Sequence, residues 1–257
     1  MRLASLDGTV LPAADAVIPA SDEGFLRGDG VFEVLRLYAG RPDAHDAHLD
    51  RMATSAANLR LPFDGEAVRA DVAALLAAAE PGDAVLRLVV TRGGHRLAVI
   101  EPLPAMASVI RLGFVTYAPT RILDGVKSLS YAGNMLATRL AKERGFDEAL
   151  LRTPHGRILE APTSSFFWVA GGQVRTPPLD DHILASITRA RVIELTGAVE
   201  APCTDADLEE ADEAFLASTL REVQPVVAVE DRTYAAGEVA AAARAKLRAR
   251  IDAELPA

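Results

Sequence analysis

The chain turns on the stretch Gly125-Val126-Lys127-Ser128-Leu129-Ser130-Tyr131-Ala132-Gly133-Asn134. Lys127 is isolated there, because the eleven residues from Ser128 to Thr138 carry no formal charge. A lysine in a neutral, partly apolar run loses hydration. That disfavours the ammonium and frees the amine as a nucleophile. Taken alone, the commoner reading is a lysine snorkelling at the edge of an element.

On the N-terminal side, the pattern breaks around Pro119–Gly125, which reads as a boundary. The expected units are residues 1–118, a linker at 119–125, and residues 126–257. On the C-terminal side a helix is predicted over 132–144, closed by Gly145. Before the boundary, residues 31–38 read as a strand after the turn Gly28-Asp29-Gly30. Leu49, Met52, Ala56 and Leu59 recur at helical spacing, and residues 65–79 read as a second helix. Strands are predicted at 84–92 and 107–117, with 101–105 as the loop between them. Beyond the boundary, residues 146–176 read as sheet, followed by helices near 187–196, 207–212 and 236–253, with strands at 214–219 and 225–229. Helices and strands mix without regular alternation, so the fold class is α+β with substantial antiparallel sheet in two α/β subdomains.

The 257 residues are half hydrophobic and a quarter charged, the balance of an ordinary globular chain. One cysteine, Cys203, excludes an internal disulfide and has no neighbouring base or cation to activate it. No apolar run is long enough for a membrane helix, and the first residues lack a signal core, so a cytoplasmic protein is expected. The net charge of −9 without a basic stripe argues against nucleic acid as a partner. Metal-ligand spacing, a Walker motif and a Gly-x-Ser-x-Gly elbow are all missing from the sequence.

Several residues could carry chemistry, each with a plainer reading beside it. Glu160 ends an apolar strand before a Ser/Thr cluster and could hold a protonated ring nitrogen; as a strand-end glutamate it would simply face water. Ser186-Ile187-Thr188 precedes a helix, whose unpaired N–H groups suit a phosphate or need only a cap. Ser218-Thr219 closes a strand and could add donors, or be an ordinary turn. Arg51, on a predicted helix, has the planar fork that suits oxyanions, or pairs with a nearby acid. Arg92, His95 and Arg96 surround a Gly-Gly turn as a compact cationic loop for a substrate carboxylate, with Arg27 a further anion-binding candidate.

The order of these motifs resembles the class IV aminotransferases. Gly28-Asp29-Gly30-Val31-Phe32-Glu33, His48-Leu49-Asp50-Arg51-Met52 and the Lys127 run come first. Gly145–Leu150, Gly156–Glu160, Thr176–Leu179, Leu184–Arg189 and Glu222–Val226 follow in sequence. The resemblance implies a fold-type-IV enzyme dependent on pyridoxal 5′-phosphate (PLP), D-amino-acid aminotransferase-like in fold and usually a homodimer. It implies Lys127 as the Schiff-base lysine and Glu160 as the partner of the pyridine nitrogen. Arg51, Ile187, Thr188, Ser218 and Thr219 are implied as the phosphate cup. The chain departs from the family at Phe32, where a tyrosine is frequent, and at Ser165, where an asparagine is common. A Gly-Ile-Thr is replaced by Ser186-Ile187-Thr188, and the cationic loop is short. The resemblance favours a transaminase for D-amino acids, with some (R)-amine activity, and a 2-oxo acid as acceptor. Aminodeoxychorismate lyase is the runner-up, and a branched-chain L-aminotransferase stands third.

Overall fold

The computed structural model describes residues 2–255. By its internal packing the chain divides into two units. The first contains the residues up to Pro104 and takes in Gly125–Tyr131, and the second contains Ala105–Asp124 and Ala132–Asp252. The division therefore differs from the boundary expected at 119–125, and Lys127 belongs to the first unit.

The first unit is a six-stranded antiparallel sheet with two of its helices packed into one core with it. Its strands are β1 (Leu3–Leu6), β2 (Thr9–Pro12), β3 (Gly30–Tyr38), β4 (Arg41–Pro42), β5 (Ala84–Thr91) and β6 (Arg96–Pro102), in the order β2-β1-β6-β5-β3-β4. The helices are α1 (Glu23–Arg27), α2 (His45–Asn58) and α3 (Gly65–Ala78). The strand β6 occupies part of the segment expected as loop. It pairs residue for residue with β5 from Ala84↔Pro102 to Val90↔Arg96. Odd-numbered residues of β3, Val31, Leu35 and Leu37, join Leu49, Met52 and Ala56 of α2 and Val68, Val72 and Leu75 of α3 in one core. The predicted helix face 49/52/56 is thus the buried one, which follows from period-3.6 packing on a period-2 strand.

The segment around Lys127 returns to this sheet. Phe32 N–H donates to Lys127 O (3.1 Å), and Leu129 N–H donates to Gly30 O (2.9 Å). These two bonds assign 125–131 to the first unit although nothing in its local sequence says so. Gly30 makes room for them: a Cβ there would lie 2.6 Å from Leu129 Cδ1 and 2.6 Å from Val90 O.

The second unit contains β7 (Ile110–Thr116), β8 (Glu148–Arg152), β9 (Ser165–Ala170), β10 (Gln173–Thr176), β11 (Val199–Glu200), β12 (Glu213–Ser218), β13 (Glu222–Val229) and β14 (Arg232–Thr233). The sheet runs β11-β10-β9-β12-β13-β7-β8, with β14 on β13. It is mixed, because β7 runs parallel to both β8 and β13. Its helices are α4 (Ala132–Glu143), α5 (Ile187–Thr196), α6 (Asp205–Glu209) and α7 (Glu238–Glu254). Residues 157–160, expected as strand, make only isolated bridges at Ile158. The centre of the sheet is fully buried, with Phe166, Trp168 and Leu216 in its core. Among the described residues, no helix is long and apolar enough to cross a membrane.

Gly30→Ala should lower unfolding free energy by roughly 1–3 kcal/mol, because the new methyl meets backbone at Val90. Chemical denaturation would read this, and a variant as stable as the parent would mean that the 127–129 segment is not packed against Gly30.

Candidate active site

In the first unit, Lys127 is held from two sides. Its carbonyl is paired with β3, and its own N–H donates to Ser55 Oγ on α2 (3.1 Å). One turn further along α2, Asn58 Nδ2 donates to Gly125 O (3.2 Å). The amine Nζ then stands 4.2 Å from the centre of the Phe32 ring and 5.5 Å from that of Tyr131. The two rings meet edge to face at 5.2 Å. The aromatic faces attract a cation and shield the amine from water. The Phe32 side chain is buried and meets the Lys127 amine through its ring, having no hydroxyl to bond it.

Arg51 lies one turn before Ser55 on the same side of α2. Its Nε donates to Glu33 Oε1 and its Nη2 to Glu33 Oε2, both at 2.7 Å. His48 Nδ1 lies 2.7 Å from Glu33 Oε2. Glu33 and His48 are almost fully buried, while the Arg51 side chain keeps 14% of its surface. Burial alone would raise the Glu33 carboxyl, but the hydrogen bonds of Arg51 and His48 and the charge of Arg51 outweigh it and hold it at about 2. Burial pushes His48 down despite the neighbouring carboxylate, so the ring is neutral at neutral pH. A neutral ring beside an acceptor-only carboxylate donates its Nδ1–H.

In the second unit, one end of the sheet gathers the remaining candidates. Ala161 and Ser164 form a tight bridge, so Glu160 enters and Ser165 leaves the same turn. Glu160 Oε1 accepts from Leu184 N–H (3.0 Å), and Glu160 O accepts from Leu151 N–H (2.9 Å). Ser165 pairs with Ala217, which places Ser218 and Thr219 at the same end of the sheet. Ser186 caps α5 by accepting from Arg189 N–H (3.2 Å). Ile187 and Thr188 form the first turn, where N–H groups have no partner inside the helix. Thr188 is buried, and Ser165 Oγ is buried with no hydrogen-bond partner. The Tyr117 hydroxyl is pushed up by burial and by the charge of Glu160, which puts Tyr117 beside this cluster.

The cationic loop is differently engaged. Arg92 forks onto Asp29 at 2.9 and 3.1 Å and also donates to Leu59 O and Arg60 O. His95 Nδ1 lies 2.8 Å from Asp7 Oδ2, and Arg96 Nε donates to Asp71 Oδ2 at 2.8 Å. Arg27 is exposed and paired with Glu23. The four cations expected at a substrate carboxylate therefore each carry an acidic partner within their own unit. For Arg92, His95 and Arg96 the sequence does not show this, because each acid lies on another element, up to 88 residues away for His95 and Asp7. Glu33, His48, Ser55, Tyr117 and Tyr131 join the site without having been singled out. Only Glu33 leaves a signal, a charge on the apolar, odd-numbered face of β3.

The first unit thus carries an amine-bearing segment on an antiparallel sheet, and the second a helix start and hydroxyl turns on a mixed one. The chain belongs to the class IV aminotransferases: the family described as amino-transferase class IV matches residues 30–229. A Methanocaldococcus jannaschii protein named for branched-chain-amino-acid aminotransfer is 34% identical over 252 residues, 88% of each chain. The D-alanine aminotransferase of Listeria innocua is 31% identical over 250 residues, covering 87% of this chain and 86% of its own. The solved fold IV-transaminase CpuTA1 of Curtobacterium pusillum superposes with a TM-score of 0.89 at 30% identity, covering 98% of this chain and 99% of that one.

Two outcomes follow from these pairings. Arg96→Ala should lower folding stability by roughly 1–3 kcal/mol, since it strands the buried Asp71 carboxylate. Denaturant titration checks this; a stable variant with a raised KM would instead support Arg96 at the substrate carboxylate. The second concerns pH. A carboxyl held at about 2 against an ordinary 4.5 contributes stability that is full above about pH 4.5 and is lost as pH falls toward 2. The stability difference between the parent and Glu33→Gln, on the order of 3 kcal/mol, should therefore narrow through that window. A gap unchanged from about pH 6 to about pH 3 would contradict an ionised Glu33.

Proposed function

We propose that the protein is a PLP-dependent transaminase that moves an amino group from an amino acid, D-amino acids foremost, to a 2-oxo acid. The observation that carries the reading is Lys127, a lysine held by its backbone on β3 and α2 with its amine over two aromatic rings. The donor set suits the cofactor. Ser165 Oγ is a buried hydroxyl without a partner, and Thr188 opens a ten-residue helix. The Ser218–Thr219 turn ends a strand beside Ser165, and Arg51 supplies a guanidinium held by its acid.

In this reading Arg51, Ile187, Thr188, Ser218 and Thr219 hold the phosphate, with Ser165 beside them. Glu160 holds the pyridine nitrogen, its carboxylate kept in place by Leu184 N–H. When bound, PLP supplies the electron sink for a carbanion at the substrate Cα. Lys127 would hold the cofactor through its amine, and Nζ is the base that would move the proton at the substrate Cα. Phe32 and Tyr131 keep bulk water from that nitrogen.

D-amino acids are placed first on the Lys127–Ala137 run and on 31% identity to a D-alanine aminotransferase. Branched-chain L-amino acids stand second on 34% identity to the Methanocaldococcus jannaschii protein. A homodimer accompanies the reading, supported by the exposed apolar pair Phe25 and Leu26 on α1, and its mass in solution tests it.

D-alanine, L-leucine, (R)-1-phenylethylamine and aminodeoxychorismate would each be mixed with the PLP-loaded protein. Loss of the visible cofactor band fastest with D-alanine is the expected result. L-leucine in first place would assign the branched-chain activity, and pyruvate released without an amino acceptor would assign the lyase. Lys127→Ala should reduce turnover by more than about a thousandfold; activity near that of the parent would remove Lys127 from the chemistry.

A further inference from the structure

We propose that Glu33 is a positioning residue for the phosphate of the cofactor, acting through Arg51 with His48 as its brace. The inference rests on the reading of Arg51 as a phosphate partner and adds what sets its direction.

Glu33 sits on the helix-facing side of β3, between Val31 and Leu35, where every neighbour along the face is apolar and fully buried. A carboxylate there is costly. A buried ion pair is often matched or bettered in stability by apolar residues of similar size. Stability alone is therefore a weak reason for the charge, whereas orientation is a strong one. A guanidinium gripped through Nε and Nη2 at once can no longer rotate about its last bonds, so its remaining edge has one direction. His48 fixes the carboxylate in turn. The gradient of exposure fits this order: none for Glu33, 1% for His48 and 14% for Arg51. The charge runs outward from the core and ends on the one member that reaches the surface. That member lies one helical turn from Ser55, which holds Lys127 N–H. One rigid helix thus sets the guanidinium and the backbone of the reactive lysine together.

Two models of Glu33 predict opposite signs. If it acts only through charge, it opposes an anion, and Glu33→Gln should tighten phosphate binding. If it positions Arg51, the same substitution should loosen it.

Apoprotein would be titrated with PLP and with pyridoxal, the same aldehyde without phosphate. Glu33→Gln is expected to raise the Kd for PLP about tenfold or more while shifting that for pyridoxal less than about twofold. A Kd for PLP that is unchanged or lower in Glu33→Gln overturns the proposal, as does an equal loss for both ligands. Arg51→Lys serves if Glu33→Gln does not fold, because lysine keeps the charge and cannot fork. It should also lose PLP selectively, and parent-like PLP affinity would refute the role of the fork. Arg51→Ala separates the levels. If it leaves PLP affinity unchanged, the phosphate role of Arg51 fails and the proposal falls with it. If it weakens PLP while Glu33→Gln and Arg51→Lys do not, only the positioning role fails.

Discussion

The architecture of the first unit depends on one pairing, that of residues 127–129 with the start of β3. Two backbone hydrogen bonds bring a segment from beyond the last strand of this sheet back onto β3, the strand next to its edge. The placing of Lys127 follows from them. They orient Lys127 so that its amine lies over Phe32, an even-numbered residue of β3, while odd-numbered Glu33 faces α2. The period of the strand thus separates an amine side from the side of the Glu33–Arg51 pair within two adjacent residues. Ser55 and Asn58 tie the same segment to α2, so the helix that carries Arg51 also holds the chain on both sides of Val126.

The second unit reaches its geometry by another route. There the end of a mixed sheet collects a tight bridge at Ala161–Ser164, a strand end at Ser218 and the first turn of α5. No single residue is decisive. Glu160 touches the peptide of Leu184, so the carboxylate and the approach to α5 are fixed by the same hydrogen bond. A helix N-terminus and hydroxyl turns attract an anion through directed N–H and O–H groups, which do not register in a count of charges.

Much of this is legible in the sequence where it depends on local period. The helix face Leu49/Met52/Ala56 and the strands within 84–92 and 107–117 follow from side-chain spacing. Asp7-Gly8 between two short strands is an ordinary hairpin signal, and β1 and β2 are there. Strand β6 is hidden because charge and proline interrupt it, and only its ladder with β5 makes it a strand. Lys127 and Arg51 stand out through the order of motifs. Their partners do not, because a hydrogen bond from Ser55 to residue 127 or from Glu33 to residue 51 joins positions that no period relates. The loop at 91–96 shows the same limit in reverse. Its cations are plain in the sequence, but their acids, Asp7, Asp29 and Asp71, are supplied by the fold.

Charge bears on how the proposed phosphate donors would work in so acidic a chain. The net charge is −9, and Arg51 is paired with Glu33. A site that relied on excess positive charge would lose most of its advantage to that background, and a loose guanidinium would spend its donors on any nearby carboxylate. A guanidinium already locked to one carboxylate has its choice of partner made for it, and what it presents outward is geometry. The donors of the second unit are neutral throughout: peptide N–H groups and the hydroxyls of Ser165, Thr188, Ser218 and Thr219. Selection by such groups depends on where an oxygen sits rather than on how much charge it carries. That suits a phosphate that must anchor a reactive ring in one orientation, and it lets the rest of the chain stay acidic without competing.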